Sequence, residues 1–157
     1  METRFDMLGS ELMAGYIRRL NAAAQLTDDA SLPTSTQELV RLRASQINGC
    51  GYCTDMHTKD ALAAGEDAQR LLLVAAWRDA TVFTEAERAA LALAEEGTRL
   101  ADAATGISDE VWQAVRKHYD DEQVAALIAV IAMINLWNRL NVISGTPAGD
   151  YQPGQWG

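Results

Sequence analysis

Apolar positions recur along the chain at helical spacing, and strand-like alternation is hard to find. In residues 10–25, Leu12, Tyr16, Ile17, Leu20 and Ala24 share one face, which predicts an amphipathic helix with that face inward. The polar stretch Thr27–Thr36, interrupted by Pro33, ends this helix and caps the next. A second helix is expected over about 35–46, with Leu39 and Leu42 inward and Arg41 and Arg43 snorkelling outward. Asn48-Gly49 is a turn signal, and a third helix should start near Cys50 and stop at Gly65. A fourth covers about Asp67–Trp77.

Thr84 and Glu87 form a capping box that opens a fifth helix, expected to run to about Ala103 with Ala90, Leu91, Ala94 and Leu100 inward. Ser108 caps a short sixth helix carrying Val111, Trp112 and Val115. Asp120 and Gln123 open a seventh, expected to reach about Asn141. That last helix is apolar nearly all round, so it should lie at the centre of the fold or at a subunit contact. The pattern predicts an all-α domain of about seven helices over 1–143, followed by an irregular Pro/Gly-rich tail over 144–157. In the tail, Tyr151 and Trp156 offer apolar anchors; the tail is expected either disordered or laid across a neighbouring subunit.

Composition narrows the function classes. The 157 residues are 48% apolar and 22% charged, an ordinary globular balance. A net charge of −9 argues against nucleic-acid or anionic-membrane partners, both of which need a basic face. The opening residues carry no signal-peptide pattern, and the longest apolar run, Val124–Ile134, has 11 residues. That run is shorter than the roughly 18–20 that span a bilayer. The expectation is a soluble, cytoplasmic protein. Flavin, haem and nucleotide motifs are not visible, so no bound cofactor is expected.

Chemistry concentrates in one segment. Cys50 and Cys53 are spaced i, i+3 and Cys53 and His57 i, i+4, so a helix would align all three on one face. Adjacent turns let the two thiols form a disulfide. Both cysteines fall in the first turn, where unpaired N–H groups favour a thiolate and lower its pKa below the free value of about 8.5. Glu38, on the preceding helix, can approach His57 if the Asn-Gly turn folds the helices together; a carboxylate there fixes the imidazole tautomer and raises its basicity. Two buried small hydrophobes would explain a bare Cys-x-x-Cys, but not His57 and Glu38 beside it. A thioredoxin-type site would need a βαβ setting that is missing here. Zinc is the sharper competitor, since Cys50, Cys53, His57 and Glu38 can supply four ligands; structural zinc sites usually use two separated pairs, and His118 has no sulfur nearby.

The run Arg43-Ala-Ser-Gln-Ile-Asn-Gly-Cys-Gly-Tyr-Cys-Thr-Asp-Met-His57, with Glu38 twelve residues before Cys50, resembles the alkylhydroperoxidase (AhpD) core of the carboxymuconolactone decarboxylase family. The segments Phe83–Ala94 and Ile134–Arg139 are similar to it as well. The resemblance implies an all-helical, oligomer-forming AhpD-like fold, commonly a trimer or hexamer, and thiol-dependent reduction of hydroperoxides. It also implies Cys53 as the peroxidatic cysteine, Cys50 as the resolving one, and Glu38 with His57 as the proton relay. The geometry of the residues alone leaves open which cysteine attacks first. The partners implied are a hydroperoxide substrate and a dithiol reductant of the lipoyl or thioredoxin type. One position departs from the pattern: the peroxidase branch has a His before the second cysteine, and this chain has Tyr52. A phenol donates a hydrogen bond, but with a pKa near 10 it is a poor base at neutral pH. The competing readings are a redox-sensing helical oligomer without turnover, and decarboxylase-branch activity, which does not depend on a cysteine pair.

Other conspicuous residues have plainer expectations. His118 follows Arg116 and Lys117 at a helix C-terminus, where it complements the dipole. Trp137 should be core, Met56 should pack inward, and Asp55 should sit at the positive end of its helix. Asn135 and Asn138 should either bond across helices or line a cavity. Glu95-Glu96 should be a solvated face.

Overall fold

The computed structural model describes residues 2–28, 30–102 and 106–155. They form seven α-helices: α1 Glu11–Asp28, α2 Thr34–Asn48, α3 Gly51–Ala63, α4 Ala68–Leu73, α5 Glu85–Thr98, α6 Asp109–His118 and α7 Asp121–Ser144. A turn of 3-10 helix, Val74–Ala76, continues α4. No strand occurs among the described residues.

The starts of α5, α6 and α7 follow the polar signals in the sequence, whereas α2 begins after Pro33 with no side-chain cap. Thr84–Glu87 and Asp120–Gln123 are reciprocal capping boxes, which satisfy backbone donors that an open helix end would leave unpaired. Ser108 caps α6 through the Val111 N–H. Between α2 and α3, Gly49 takes a left-handed conformation (φ 65°) that a β-carbon would disfavour. That single residue reverses the chain and sets α2 and α3 side by side.

The ends differ more. α1 runs on to Asp28 and α7 to Ser144. α5 leaves the helix at Arg99, just after Gly97, short of the expected end; Ala103 lies outside the described residues. Gly97 serves packing: a β-carbon there would come within 3.1 Å of Ile131 Cγ2, so its absence lets α5 and α7 approach closely.

α2 is central. Leu39 and Leu42 pack with Leu71, Trp77, Phe83 and Leu91 on one side. Val40 joins Ala90, Leu93, Val115, Leu127 and Val130 on the other. Ala44 meets the two cysteines and Ile134. Each fully buried leucine contributes about 1.5–3 kcal/mol. α7, over its whole length, is apolar enough to cross a bilayer; here it packs against α1, α2, α3 and α5, as the core helix of a globular fold does. Its asparagines satisfy one another across helices: Asn48 Nδ2 donates to Oδ1 of Asn135 and Asn138, both at 2.9 Å, and Asn138 donates to Ser45 Oγ at 3.0 Å.

Several expectations are corrected. α1 packs on α7 without burying its predicted face: Leu12 and Tyr16 are exposed, while Ile17 and Ala24 turn toward a cavity. Arg41 and Arg43 do not reach outward, because each has a buried carboxylate within its length. Arg43 grips Glu95, which also accepts from Trp77 Nε1 at 3.0 Å and from Arg78 at 2.6 Å. Glu95 is therefore buried and not part of a solvated face, and Glu96 accepts from the backbone and hydroxyl of Ser108. The tail packs on its own chain: Gly149 N donates to Asp55, and Lys59 Nζ donates to the carbonyls of Gly149 and Tyr151. Asp55 thus serves as an anchor for the tail, and Trp156 lies outside the described residues.

Candidate active site

The Gly49 turn leaves Cys50 at the N-cap of α3, where its Sγ accepts the N–H of Cys53 at 3.2 Å. Cys53 occupies the first turn. The two are joined as a disulfide, with Cα atoms 5.4 Å apart, and both are almost wholly buried. One turn further, His57 is 8% exposed and its Nδ1 lies 2.9 Å from Glu38 Oε2 on α2. The four residues singled out by spacing therefore converge on one face of the α2–α3 pair.

Burial alone would push the Glu38 carboxyl up. The hydrogen bond and charge of His57, followed by the charge and hydrogen bond of Arg41, hold it below its ordinary value of 4.5. Glu38 is thus ionised at neutral pH, an acceptor facing Nδ1 of His57. With Nδ1 turned to Glu38, Nε2 is the ring nitrogen left over for other partners.

Three contributors were not anticipated as part of the site. Arg41 Nη1 donates to Glu38 Oε1 at 2.6 Å, and its Nη2 donates to Asp28 and to Gln37 Oε1 at 2.6 and 3.0 Å. The i, i+3 spacing of Glu38 and Arg41 was a legible signal for that pair. Asn141 Nδ2 donates to Cys53 Sγ at 3.7 Å, from a helix whose apolar run concealed it. Tyr151 of the tail stacks edge-on against Tyr52 (centroids 6.2 Å, 82°), and its hydroxyl donates to Asp60. Burial, then Asp60, pushes the Tyr151 hydroxyl up to about 12, so it remains a donor. Tyr52 is a wall residue against the tail.

Cys53, His57, Tyr52 and Met56 open onto a cavity of about 610 Å³. Its walls are mostly apolar, supplied by α1, by Met133, Ile134 and Trp137 of α7, and by the N-terminal segment and the tail. Trp137, expected in the core, is half-buried and walls this cavity. Among the described residues, no three of His, Cys, Asp and Glu are grouped to hold a metal ion.

Residues 10–96 match the carboxymuconolactone decarboxylase family. The chain belongs to that family. YdfG of Bacillus subtilis (strain 168), an uncharacterized protein, is 40% identical over 122 residues, covering 78% of this chain and 82% of YdfG. Among solved structures, ATU0492 of Agrobacterium tumefaciens, a protein of unknown function named as a candidate antioxidant defence protein AhpD, superposes with a TM-score of 0.88 at 31% identity. The match covers 96% of this chain and 100% of that one. An uncharacterized peroxidase-related protein with an alkylhydroperoxidase AhpD core, from Ralstonia eutropha JMP134, has a TM-score of 0.75 at 21% identity over 87% of this chain and 72% of its own. At that identity the likeness shows the fold alone. This family member thus has an AhpD-like fold with its cysteine pair at disulfide distance.

Proposed function

We propose that this protein reduces organic hydroperoxides with the Cys50–Cys53 pair. The observation that supports this most is a redox-capable cysteine pair beside an ionised Glu38–His57 dyad, facing an apolar cavity. In the reduced protein, His57 Nε2 takes the Cys53 proton. The thiolate attacks the distal oxygen of ROOH, the O–O bond breaks, and the alkoxide leaves as ROH with that proton. Cys53 becomes a sulfenic acid, and the Cys50 thiol condenses with it, its proton going to the departing hydroxide, to give the disulfide and water. A dithiol of the lipoyl or thioredoxin type restores the pair by exchange.

The outward face of α7, with Ala125, Ile128, Ala129 and Ala132 exposed, supports association with further copies of the chain as a trimer or hexamer. A cytoplasmic setting suits a pair that must be re-reduced.

The test mixes reduced protein with cumene hydroperoxide and follows thiols and cumyl alcohol. Loss of two thiols per alcohol formed is expected. Cys53→Ser should abolish the reaction, and Cys50→Ser should leave a sulfenic acid that dimedone traps. Retention of both thiols at pH 7 would overturn the reading. Decarboxylation of an acidic lactone that survives in Cys53→Ser would establish the family's other activity instead.

A further inference from the structure

Asn135, Asn138 and Asn141 form one stripe of α7, at i, i+3 and i+6. The first two serve packing: they bond to Asn48 and Ser45 of α2 and to Thr98 of α5. Asn141 turns toward the cavity, which it lines and they do not. Its Nδ2 donates to the Trp137 carbonyl at 3.0 Å, which fixes the amide, and to Cys53 Sγ at 3.7 Å. A disulfide sulfur is a weak acceptor, whereas a thiolate in the same place is a strong one.

The surroundings of Cys53 work against an anion. The residue is 1% exposed and packs with Ala44, Ile134 and Tyr52. Burial among apolar groups raises a thiol's pKa. Sharing its cavity are His57 of its own helix, Arg41 of α2, Asp28 of α1, Asp6 of the N-terminal segment, and Asp150 and Tyr151 of the tail, with ionised Glu38 behind His57. Arg41 is already bonded to Glu38 and Asp28, so carboxylates dominate this set. α7 brings no charged side chain to the cavity; it brings the Asn141 amide.

We propose that Asn141 is a catalytic residue: once the Cys50–Cys53 bond is reduced, its amide N–H donates to the Cys53 thiolate and holds that anion in its buried site. The inference rests on the functional reading above, in which Cys53 attacks. The proton that Cys53 loses goes to His57, and Asn141 stabilises the charge left behind. An amide does not titrate in the working range, so the donor is present at every pH and keeps its own proton. The N-terminus of α3 acts in the same direction. A hydrogen bond to an ionised acceptor is about twice as strong as a neutral one, so its loss should show in the acidity of the thiol.

The chain has two cysteines, so Cys53 is the sole thiol of Cys50→Ser protein, in which serine still caps α3 well. In that background the rate of alkylation by iodoacetamide is followed against pH. Asn141→Leu should raise its midpoint by about one pH unit, and Asn141→Asp, which turns a carboxylate toward the sulfur, by about two. With Cys50 restored, Asn141→Leu should slow cumene hydroperoxide reduction about tenfold below both midpoints and come within about twofold of wild type above them. Asn138→Ser, one turn away, should lower the urea midpoint and leave the alkylation midpoint in place. A midpoint unmoved in both Asn141 variants overturns the proposal. So does an equal shift in Asn138→Ser, which would trace the effect to loosened packing of α7. Nuclear magnetic resonance of Cys50→Ser protein tests the contact with Asn141 intact. Its side-chain amide proton should move downfield as Cys53 ionises, and an amide that ignores that titration also overturns the proposal. Alkylation and resonance use no peroxide. Shifted midpoints in a protein that leaves cumene hydroperoxide intact would therefore sink the functional reading and keep the bond from Asn141 to the thiolate.

Discussion

Glu38 and Glu95 are two buried carboxylates in one small protein, both held by arginine and both below their ordinary value of 4.5. Burial pushes each up, and its partners more than reverse that. The partners differ in kind. Glu95 accepts from Trp77, Arg43 and Arg78, groups that hold their protons across the working range of pH. Glu38 has one such partner, Arg41, and spends its other oxygen on an imidazole. A depressed carboxylate is thus not in itself a sign of chemistry. Glu95 ties α5 to α2 and to the chain after α4. Glu38 has a partner that can pass a proton, one helical turn from a sulfur.

The contrast can be broken most forcefully at Glu95. Glu95→Leu strands the buried Arg43 guanidinium and the Trp77 N–H and should cost about 3 kcal/mol, read as a lower urea midpoint. The folded variant should reduce peroxide at close to the wild-type rate; a collapse in rate without loss of stability would show that the roles were assigned backwards. Glu38→Gln should do the opposite. It removes the charge that orients His57 and should lower the second-order rate with cumene hydroperoxide about 100-fold. The Cys50–Cys53 disulfide should still form with diamide in that variant.

A milder change separates the two arginine clamps. Arg41→Met takes from Glu38 a charge that holds its carboxyl down. The acid limb of the pH–rate profile should move to higher pH, with about a threefold loss at pH 7. An unmoved limb would remove Arg41 from the relay.

Acid titration of stability gives the smallest expected effect. Both carboxylates have folded values below their unfolded ones, so their contribution is fully present above about pH 4.5 and fades as pH falls through the depressed values. Stability should therefore fall with pH below 4.5, and Glu95→Gln should flatten that slope.

Helical spacing and capping residues located the helices because both signals are local: a capping box or an Asn-Gly turn acts within four residues. The cysteine pair and His57 were legible for the same reason, being one turn apart on one helix. Glu38 was legible through the turn that folds α2 against α3, and through the family pattern. The misreadings share the opposite cause. Arg43 and Glu95 are 52 positions apart, so spacing could not pair them, and each was assigned to solvent by type alone. Asn141 points at Cys53 from 88 residues away, hidden in an apolar helix. The predicted inner face of α1 proved half exposed because α1 packs chiefly on α7, meets α2 at its C-terminal end, and divides its apolar side between cavity and surface.

By itself the sequence determined seven helices, the caps of α5, α6 and α7 and a redox-capable triplet on the first turns of α3, since these depend on bonds and side chains that are neighbours along the chain. Only the tertiary structure decided which carboxylate meets an imidazole and which meets arginines and Trp77, and that the tail walls the site from its own chain. Those outcomes depend on the order in which distant helices pack, and a single chain carries no local record of it.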